Sequence, residues 1–421
     1  MQKRLAETLA LTIVFSLLVF LSLNRDSKVS SFTYQSAIWS DKAGYHVYLP
    51  AAFEYGFYQN GFPENIVEMT GSGFSFTTEE KLNTKYTCGV ALLQLPFYAI
   101  ARLFGTQPGE FPGYTKACQT AVNLAGVSYL FFGALLLFNA LKRRWNSGTL
   151  WWSISLLIFS SNLFYFGIIE AGMSHVYSFF VFAALLYQLE KNQNHWASDI
   201  LTGMLIGLLI LIRPINILAI PILLLMTQPS FQAMPARLWR MGTNPRILLT
   251  ALVTLLPQLV YWHFVSGNYF HYGYGNEGFS NFPSPPLFKF LFSPHNGLFP
   301  YAPVLIFILA GIVIRFRRLE FFSRTVPFIF IVLCFTFASW WNWHYGCSYG
   351  CRPFSEFMVI FTIPACNLIY NMNARVKIGF AVISAVLIAF NLKMIYSGDN
   401  CWYYGDWDWN SYLGTLRGPI R

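Results

Sequence analysis

Eleven apolar windows recur along the chain, and most of them approach the length of a membrane-spanning helix. A bilayer offers no hydrogen-bond partners, so an apolar window of about 20 residues crosses it as an α-helix. Only 11% of the residues are charged, whereas a soluble domain carries about 25%. The sequence therefore predicts an all-α polytopic membrane protein with about eleven transmembrane helices, of which the short window 214–227 is a partial or tilted span. The windows cover residues 5–23, 119–141, 150–168, 174–189, 198–212, 214–227, 247–266, 297–314, 325–341, 354–371 and 376–396.

The first 23 residues admit two interpretations. Lys3 and Arg4 precede an apolar run, which is also the arrangement of a cleaved signal peptide. The run is long for such a peptide, however, and no small-residue cleavage site follows it. Because further apolar windows follow throughout the chain, we favour a signal anchor that remains as the first helix.

The basic residues set the expected orientation. If the apolar segment 88–105 lies flat at the membrane interface, the basic loops between windows all fall on one side, as the positive-inside rule requires. The net charge of +10 then reflects topology and does not indicate a nucleic-acid partner. The chain is expected to be a multi-pass protein of the cell (inner) membrane with a cytoplasmic N-terminus. The basic residues expected in the cytoplasm are Lys3, Arg4, Lys142, Arg143, Arg144, Lys191, Arg237, Arg240, Arg246, Arg315, Arg317, Arg318, Arg324, Arg375 and Lys377.

The acidic residues fall mainly on the opposite side. Acids scarcely influence orientation, so their excess outside indicates that the chemistry is extracytoplasmic. The acids expected in or near the cytoplasm are Glu7, Glu190, Asp199 and Glu320. We expect one membrane domain, residues 1–396, followed by an aromatic extracytoplasmic tail, residues 397–421. The expected outer segments are 24–118, with interfacial helices around 42–58 and 87–104, then 267–296, 342–353 and the tail.

The stretch DKAGYHVYLPAAFEYGF, which begins at Asp41, places aromatic and apolar residues three and four positions apart. This spacing is typical of a helix lying in the headgroup layer. Asp41 would be its N-terminal cap, because a carboxylate there accepts backbone N–H groups. The alternative interpretation is a general base held at the membrane surface.

Three basic residues are expected on the outer side. Lys85 precedes the second interfacial helix, where it could meet lipid headgroups or neutralise the phosphate of a lipid-linked substrate. Arg213 follows the fifth window and Arg352 opens the tenth. Both could be anchors at a membrane end, but their position opposite the cytoplasmic basic residues favours an anionic partner.

Further polar side chains are candidates for substrate or metal contacts. Glu170 and His175 lie in the outer turn between the third and fourth windows, where a polar turn needs no special explanation. They could also bind a divalent cation together with Asp41, although no HExxH spacing supports a metal site. His46 and His344 are further candidates for contacts to substrate or metal. The tryptophans beside His344 could be a membrane belt or a stacking surface for a sugar.

The remaining outer features carry less information. The Gly/Pro/aromatic-rich loop 267–296 is expected to be a lid or wall over the outer cavity. The seven cysteines form no CxxC pair. A disulfide could form among the cysteines expected outside, with the pairing open: Cys88, Cys347, Cys351 and Cys401.

Together these features resemble the GT-C glycosyltransferases, and most of all the branch with protein O-mannosyltransferases and lipid A aminoarabinose transferases. The resemblance rests on the early Asp of a long first outer loop and on the segments TKYTCGVALLQLPFY, IRPINILAIPILL, HNGLFPYAPVL and WWNWHYGCSYGCRPF. It implies a polyprenyl-phosphate sugar donor and inversion at the anomeric carbon. It also implies that Asp41 is the catalytic acid of the first loop, Lys85 the lysine at the donor phosphate and Glu170 the acid of the second loop. Many mannosyltransferases have an Asp-Glu pair where this chain has Asp41 and Lys42.

The expected function is therefore transfer of a sugar from a polyprenyl phosphate to a glycan, lipid or protein acceptor, within a layer of membrane lipids. Asp41 would be the general base, while Lys85, Arg352 and Arg213 would stabilise the leaving phosphate. The chain shows no nucleotide-binding signature. A lipid-linked oligosaccharide flippase or transporter is the main alternative, but such proteins commonly carry midplane charges and repeated halves. A polysaccharide polymerase is the other, although its large loop normally comes late in the chain.

Overall fold

The computed structural model describes residues 2–191, 195–398 and 407–419, without the side chains of residues 2–4, and it is largely helical. Cys401 and most of the predicted tail's first part, 399–406, lie outside the described residues. In chain order the α-helices are α1 (Gln2–Asp26), α2 (Asp41–His46), α3 (Tyr48–Pro50), α4 (Ile66–Met69), α5 (Gly89–Arg102), α6 (Lys116–Leu141), α7 (Ser147–Phe159), α8 (Asn162–Ile168), α9 (Ser174–Lys191), α10 (Trp196–Ile212), α11 (Ala219–Met226), α12 (Met234–Thr243), α13 (Pro245–Ser266), α14 (Leu287–Phe292), α15 (Leu298–Tyr301), α16 (Val304–Arg315), α17 (Phe321–Ala338), α18 (Thr362–Tyr370), α19 (Ala374–Ser397) and α20 (Trp409–Arg417).

Five of the described helices are long and apolar enough to cross a membrane: α1, α6, α13, α17 and α19. Two bent pairs meet the same criterion when each is taken as one span, which raises the number to seven. The several apolar helices confirm a helical membrane protein, whereas the predicted count of eleven spans is not confirmed. Short or broken helices cause the difference, because apolar windows such as 297–314 and 354–371 each contain more than one helical segment.

The sharp bends have local causes. The helices α7 and α8 meet at 76° around the pair Ser160 and Ser161. Both hydroxyls donate to backbone carbonyl oxygens one turn earlier, at Leu156 and Leu157. Serine pairs that compete for backbone carbonyls in this way are a known cause of kinks. After this bend the chain reaches Glu170, which follows α8.

Small residues determine how closely the helices pack. A Cβ atom at Gly203 of α10 would stand 1.9 Å from Thr250 Oγ1 of α13, and one at Gly207 would stand 2.7 Å from Thr254 Cβ. The two glycines are four residues apart and therefore lie on one face, which allows two helix backbones to approach closely in a membrane. This pairing fixes the end of α10, from which Arg213 extends.

The first outer segment folds as a layer of its own against the helix ends. A nearly continuous helical stretch runs from α2 through α3 into a π-helical turn at Ala51–Tyr55. A two-stranded antiparallel hairpin follows, with β1 (Ser75–Phe76) pairing β2 (Leu82–Asn83), so the all-α expectation missed a small sheet. Buried residues such as Ile38, Val47 and Leu82 pack this layer onto α6, α10 and α13.

The capping prediction for Asp41 is wrong. Ser40 holds the N-cap position of α2, with φ of 51° and no capping hydrogen bond from its side chain. Asp41 is the first helical residue, and its carboxylate bonds to a distant arginine. Helices lie where two were predicted, around 42–58 and 87–104, and α5 packs against α6, with its Gly89, Val90 and Gln94 buried.

Charged residues at the other ends of the helices also contact one another. These contacts do not involve the first outer segment. Arg144 after α6 pairs with Glu190 at the end of α9, and Arg237 of α12 donates to the carbonyl oxygen of Leu189. Arg246 at the start of α13 lies 3.5 Å from Asp199 at the start of α10. These are residues that the sequence assigned to the cytoplasm.

A glycine contact beside Asp41 gives a stability test. A Cβ atom at Gly73 would stand 1.9 Å from the carbonyl oxygen of Ser40, which is backbone and cannot rotate away. We expect Gly73→Ala to lower the free energy of unfolding by about 1–3 kcal/mol, as overpacking does. The measurement is thermal or denaturant unfolding in detergent. Gly379→Ala is the matched control, because a Cβ there meets nothing within 4 Å; equal stability of the two variants would contradict the close contact.

Candidate functional site

A cavity of about 1040 Å³ opens between the first outer segment and the helix ends. Its wall is formed by the start of α2, the turn after α8, the start of α9, the end of α10, the loop 270–279 and the segment 340–352. Six of the candidate residues named from sequence line this cavity: Asp41, Lys85, Glu170, His175, Arg213 and Arg352. The fold therefore brings together residues that lie up to 311 positions apart in the chain.

Asp41 is held by a guanidinium. Arg352 Nη1 donates to Asp41 Oδ2 at 3.0 Å. Burial opposes ionisation of Asp41, but the charges of Arg352 and Lys85, with hydrogen bonds from Tyr86 and Arg352, outweigh it and hold the pKa of the carboxyl below its usual value. Asp41 is thus a carboxylate at neutral pH, with part of its surface open to the cavity.

The contact that Lys42 makes explains why a lysine follows Asp41 in this chain. Its ammonium lies 2.7 Å from Glu170 Oε2, and its side chain is only 4% exposed. Burial lowers the pKa of Lys42, and the Glu170 carboxylate opposes this lowering. The pair ties α2 to the turn after α8. Instead of a second acid beside Asp41, the chain has a lysine that holds the acid of the second loop.

Lys85 has a more accessible counter-ion. Its ammonium lies 2.9 and 3.2 Å from the two carboxylate oxygens of Glu277, in the loop that follows α13. The rings of Tyr86 and Tyr274 lie 5.7 and 5.4 Å from the same ammonium. The side chains of Lys85 and Glu277 are 32% and 31% exposed, so this is the least buried of the four ion pairs around the cavity.

Arg213 and His175 share a carboxylate that is fully buried. Glu356 Oε1 accepts from Arg213 Nη1 at 2.6 Å, and Glu356 Oε2 lies 2.7 Å from His175 Nδ1. Glu356 itself has no exposed surface and stands behind the cavity wall. The cluster joins the start of α9, the end of α10 and the 3₁₀ segment Glu356–Phe361.

Aromatic side chains cover much of the remaining wall. Tyr45 donates to Ser174 Oγ at 3.1 Å and stacks at a tilt against Tyr86. Tyr274 packs edge-on against both Tyr86 and Trp340. A cavity with aromatic faces between charged groups suits a ligand that has both a ring and an anionic group. The loop 267–296 contributes to this wall, as predicted, through its residues 270–279.

Two candidate histidines do not line the cavity. His46 is buried in the first outer segment, with its nitrogens 3.1 Å from Gln94 Oε1 and 2.9 Å from the carbonyl oxygen of Gly113. Burial lowers its pKa. His344 stacks on His295 with 4.0 Å between ring centroids. Burial, with the charges of His295 and Arg352, lowers the pKa of His344 to about 4.

The structure does not assemble the suggested metal ligands. Asp41, Glu170 and His175 bond to three different partners, and in the described part of the chain no group of three or more His, Cys, Asp or Glu side chains could hold a metal ion. Among the cysteines predicted outside, Cys88 and Cys351 are free and buried, whereas Cys347 is in a disulfide.

Sequence reasoning missed Glu277 and Glu356. Glu356 lies inside a predicted span, and an ionisable residue there is by default a functional candidate, so the signal was present. Glu277 lies in the predicted lid and had no distinguishing neighbour in sequence. Lys42 was noted only as a departure from a family pattern.

The fold was compared with known proteins. ArnT from Cupriavidus metallidurans bound to undecaprenyl phosphate aligns with a TM-score of 0.57 and 14% identity, over 93% of this chain and 65% of ArnT. The chain therefore has the same fold as this ArnT. The resemblance predicted from sequence is thus confirmed for the fold.

Other comparisons are weaker. The Archaeoglobus fulgidus oligosaccharyltransferase AglB, in complex with an inhibitory peptide and a dolichol-phosphate, aligns with a TM-score of 0.48 and 12% identity, over 98% of this chain and 56% of AglB. No family model matches the sequence. No curated protein matches it either. The chain spans about two thirds of the length of the ArnT that it matches.

The Lys42–Glu170 pair gives a second test. Removing one partner leaves the other charge buried without compensation, which typically costs about 3–5 kcal/mol. We expect Lys42→Met and Glu170→Leu each to destabilise the protein by this amount, and the double variant that combines them to recover most of the loss. Unfolding of the two single variants and the double variant forms a thermodynamic cycle. Additive losses in the double variant would show that the two charges do not interact.

Proposed function

We propose that this protein is a glycosyltransferase that moves a sugar from a polyprenyl-phosphate donor to an acceptor hydroxyl or phosphate. The reaction takes place at the extracytoplasmic face and inverts the anomeric carbon. The donor sugar is a hexose or a pentose, and the acceptor is a glycan, lipid or protein.

One observation carries the proposal. A single cavity presents an ionised carboxylate, Asp41, together with the cations of Arg352 and Lys85. A glycosyl phosphate needs both kinds of group, since a base must take the proton of the attacking hydroxyl while cations stabilise the phosphate that leaves. The GT-C fold adds support, because the ArnT with this fold was observed with undecaprenyl phosphate bound.

The chemistry uses groups that the chain itself supplies. The acceptor oxygen attacks the anomeric carbon from the face opposite the phosphate, its proton passes to Asp41, and the C–O bond to the phosphate breaks with both electrons on the phosphate oxygen. Among the described residues, Arg352 bonds to Asp41 through Nη1 only, which leaves its other donors available for that phosphate. Lys85 neutralises the second negative charge that the phosphate carries after the C–O bond has broken.

The positions of the charged groups support the orientation in the membrane. The cavity groups lie at helix ends that the sequence assigned to the outside, such as the end of α10. Arg144, Glu190, Arg237 and Asp199, assigned to the cytoplasm, contact groups at other helix ends. We propose a cytoplasmic N-terminus, an extracytoplasmic active site in the cell (inner) membrane and about eleven membrane segments, several of them short or broken.

The role of Asp41 is tested by Asp41→Asn. The amide has nearly the same shape but cannot accept a proton, so we expect transfer from a polyprenyl-phosphate sugar to fall by about 10²–10⁴-fold. Because the pKa of Asp41 lies below its usual value, the base stays ionised at neutral pH, and wild-type activity is expected to fall only when the pH drops through that lowered pKa. Transfer of a radiolabelled sugar from the lipid donor measures both effects.

Asp199→Asn is the matched control, because Asp199 carries the same carboxyl group at the other set of helix ends. Full transfer by Asp41→Asn would remove Asp41 from the mechanism. Mass spectrometry of lipids and glycans from cells with and without the gene addresses the alternatives. Loss of a single-sugar decoration supports the transferase, whereas accumulation of a complete lipid-linked oligosaccharide supports a flippase or polymerase.

The position of Glu277 predicts that removing its charge increases the affinity of the protein for undecaprenyl phosphate. Its carboxylate occupies the anion position on Lys85, so a donor phosphate must displace it. Exposed pairs contribute about 0–1 kcal/mol, which makes this pair the easiest of the four to open. We expect Glu277→Gln to bind undecaprenyl phosphate up to several-fold more tightly than the wild type.

Binding of undecaprenyl phosphate to the purified protein in detergent measures this change. Lys85→Gln is the matched control and should weaken binding, since it removes the cation and leaves the carboxylate. Weaker binding by Glu277→Gln would show that Glu277 supports the phosphate site and does not compete for it.

A further inference from the structure

The Glu356 cluster has a feature that phosphate binding does not require. His175 is only 2% exposed, yet it lines the cavity. Its Nδ1 faces Glu356 behind the wall, and its Nε2 has no hydrogen-bond partner among the residues that the structure describes, yet this nitrogen is not fully buried. The ring packs at a tilt of 52° against Phe166, with 4.5 Å between centroids. The imidazole is therefore fixed in position, with its second nitrogen turned toward the cavity.

The hydrogen bond to Glu356 decides which nitrogen carries the proton. A carboxylate can only accept, so the 2.7 Å contact requires a proton on His175 Nδ1. A second proton, on Nε2, would place a positive charge beside Arg213, whose Nη1 lies 3.5 Å from Nδ1. The single charge of Glu356 is already balanced by Arg213. The ring is therefore neutral, and Nε2 offers a lone pair to the cavity.

Arg213 completes a donor and acceptor pair. Its Nη1 is bonded to Glu356, and its other guanidinium nitrogens have no partner within the described ranges. The side chain is 17% exposed. A group that both donates to Nε2 and accepts from the guanidinium matches this arrangement. A hydroxyl does both, whereas a phosphodiester has no proton to donate.

We propose that His175 and Arg213 form a subsite for a hydroxyl group of the transferred sugar, and that Glu356 is the positioning residue that holds both. This inference rests on the proposed function and gives Arg213 a different role from Lys85 and Arg352, which take the phosphate. Glu356 acts through its two partners and does not touch the sugar. The subsite selects ring hydroxyls, so it contributes to the choice of sugar.

The first experiment reads the proton position directly. Solid-state NMR of protein with ¹⁵N-labelled histidine distinguishes a protonated from an unprotonated ring nitrogen, and His175→Phe assigns the signal. We expect His175 to be protonated on Nδ1 and not on Nε2. In Glu356→Gln the single amide oxygen cannot accept from both partners, so the fraction with the proton on Nε2 should rise. A wild-type ring protonated on Nε2 would overturn the positioning role.

The second experiment tests the hydroxyl. Transfer is measured with undecaprenyl phosphoryl monosaccharides, and the donor that turns over is compared with its mono-deoxy analogues. We expect the wild type to disfavour one deoxy donor by roughly tenfold or more in kcat/KM. His175→Phe should lose this discrimination. His46→Phe, which removes a buried histidine outside the cavity wall, is the matched control and should keep it.

The outcomes separate the two proposals. If the wild type shows no deoxy discrimination and His175→Phe instead raises KM for the acceptor, the hydroxyl belongs to the acceptor and the sugar subsite is wrong. Unchanged discrimination in His175→Phe also overturns it, while transfer itself upholds the proposed function. If no lipid donor turns over, the proposed function fails and the sugar subsite fails with it. If Glu356→Gln does not fold, the wild type and His175→Phe still decide the test.

Discussion

Charges removed from water must be paired, and this constraint organises the part of the molecule that surrounds the cavity. Each of the four Lys or Arg side chains that the structure places on the cavity wall bonds to a carboxylate from another segment of the chain. Lys42 and Arg352 join the first outer segment to the turn after α8 and to the segment before α18. Since an unpaired buried charge costs several kcal/mol, these contacts hold the outer segments together while they assemble a polar site.

The ion pairs differ in how easily an incoming anion can replace the carboxylate. Glu356 is fully buried and serves two partners, so it behaves as a fixed part of the wall. The pair of Lys85 and Glu277 is about one-third exposed, and screening by water makes it weak. A cavity with permanent and exchangeable counter-ions can receive a phosphate at one place while holding a neutral ring at another. The proposed transfer reaction needs both.

Helix packing below the site supplies the rigidity that such pairing needs. The glycines of α10 bring it close to α13, and the serine pair between α7 and α8 turns the chain toward the cavity. Neither feature carries chemistry. Both fix the helix ends from which Arg213 and Glu170 reach the site, and hydrogen bonds to charged groups tolerate little misplacement.

The sequence by itself determined the helical membrane class and six of the residues around the cavity, because apolar length and charge are local properties of the chain. It could not decide which charge pairs with which. In the sequence, Lys42 was only a departure from a family pattern. In the structure it pairs with Glu170. Asp41 was predicted to be a helix cap because a carboxylate at a helix start usually is one. In the structure its carboxylate instead bonds to a guanidinium 311 residues away. Pairing across such distances depends on how helices pack and bend, and only the tertiary structure decides that.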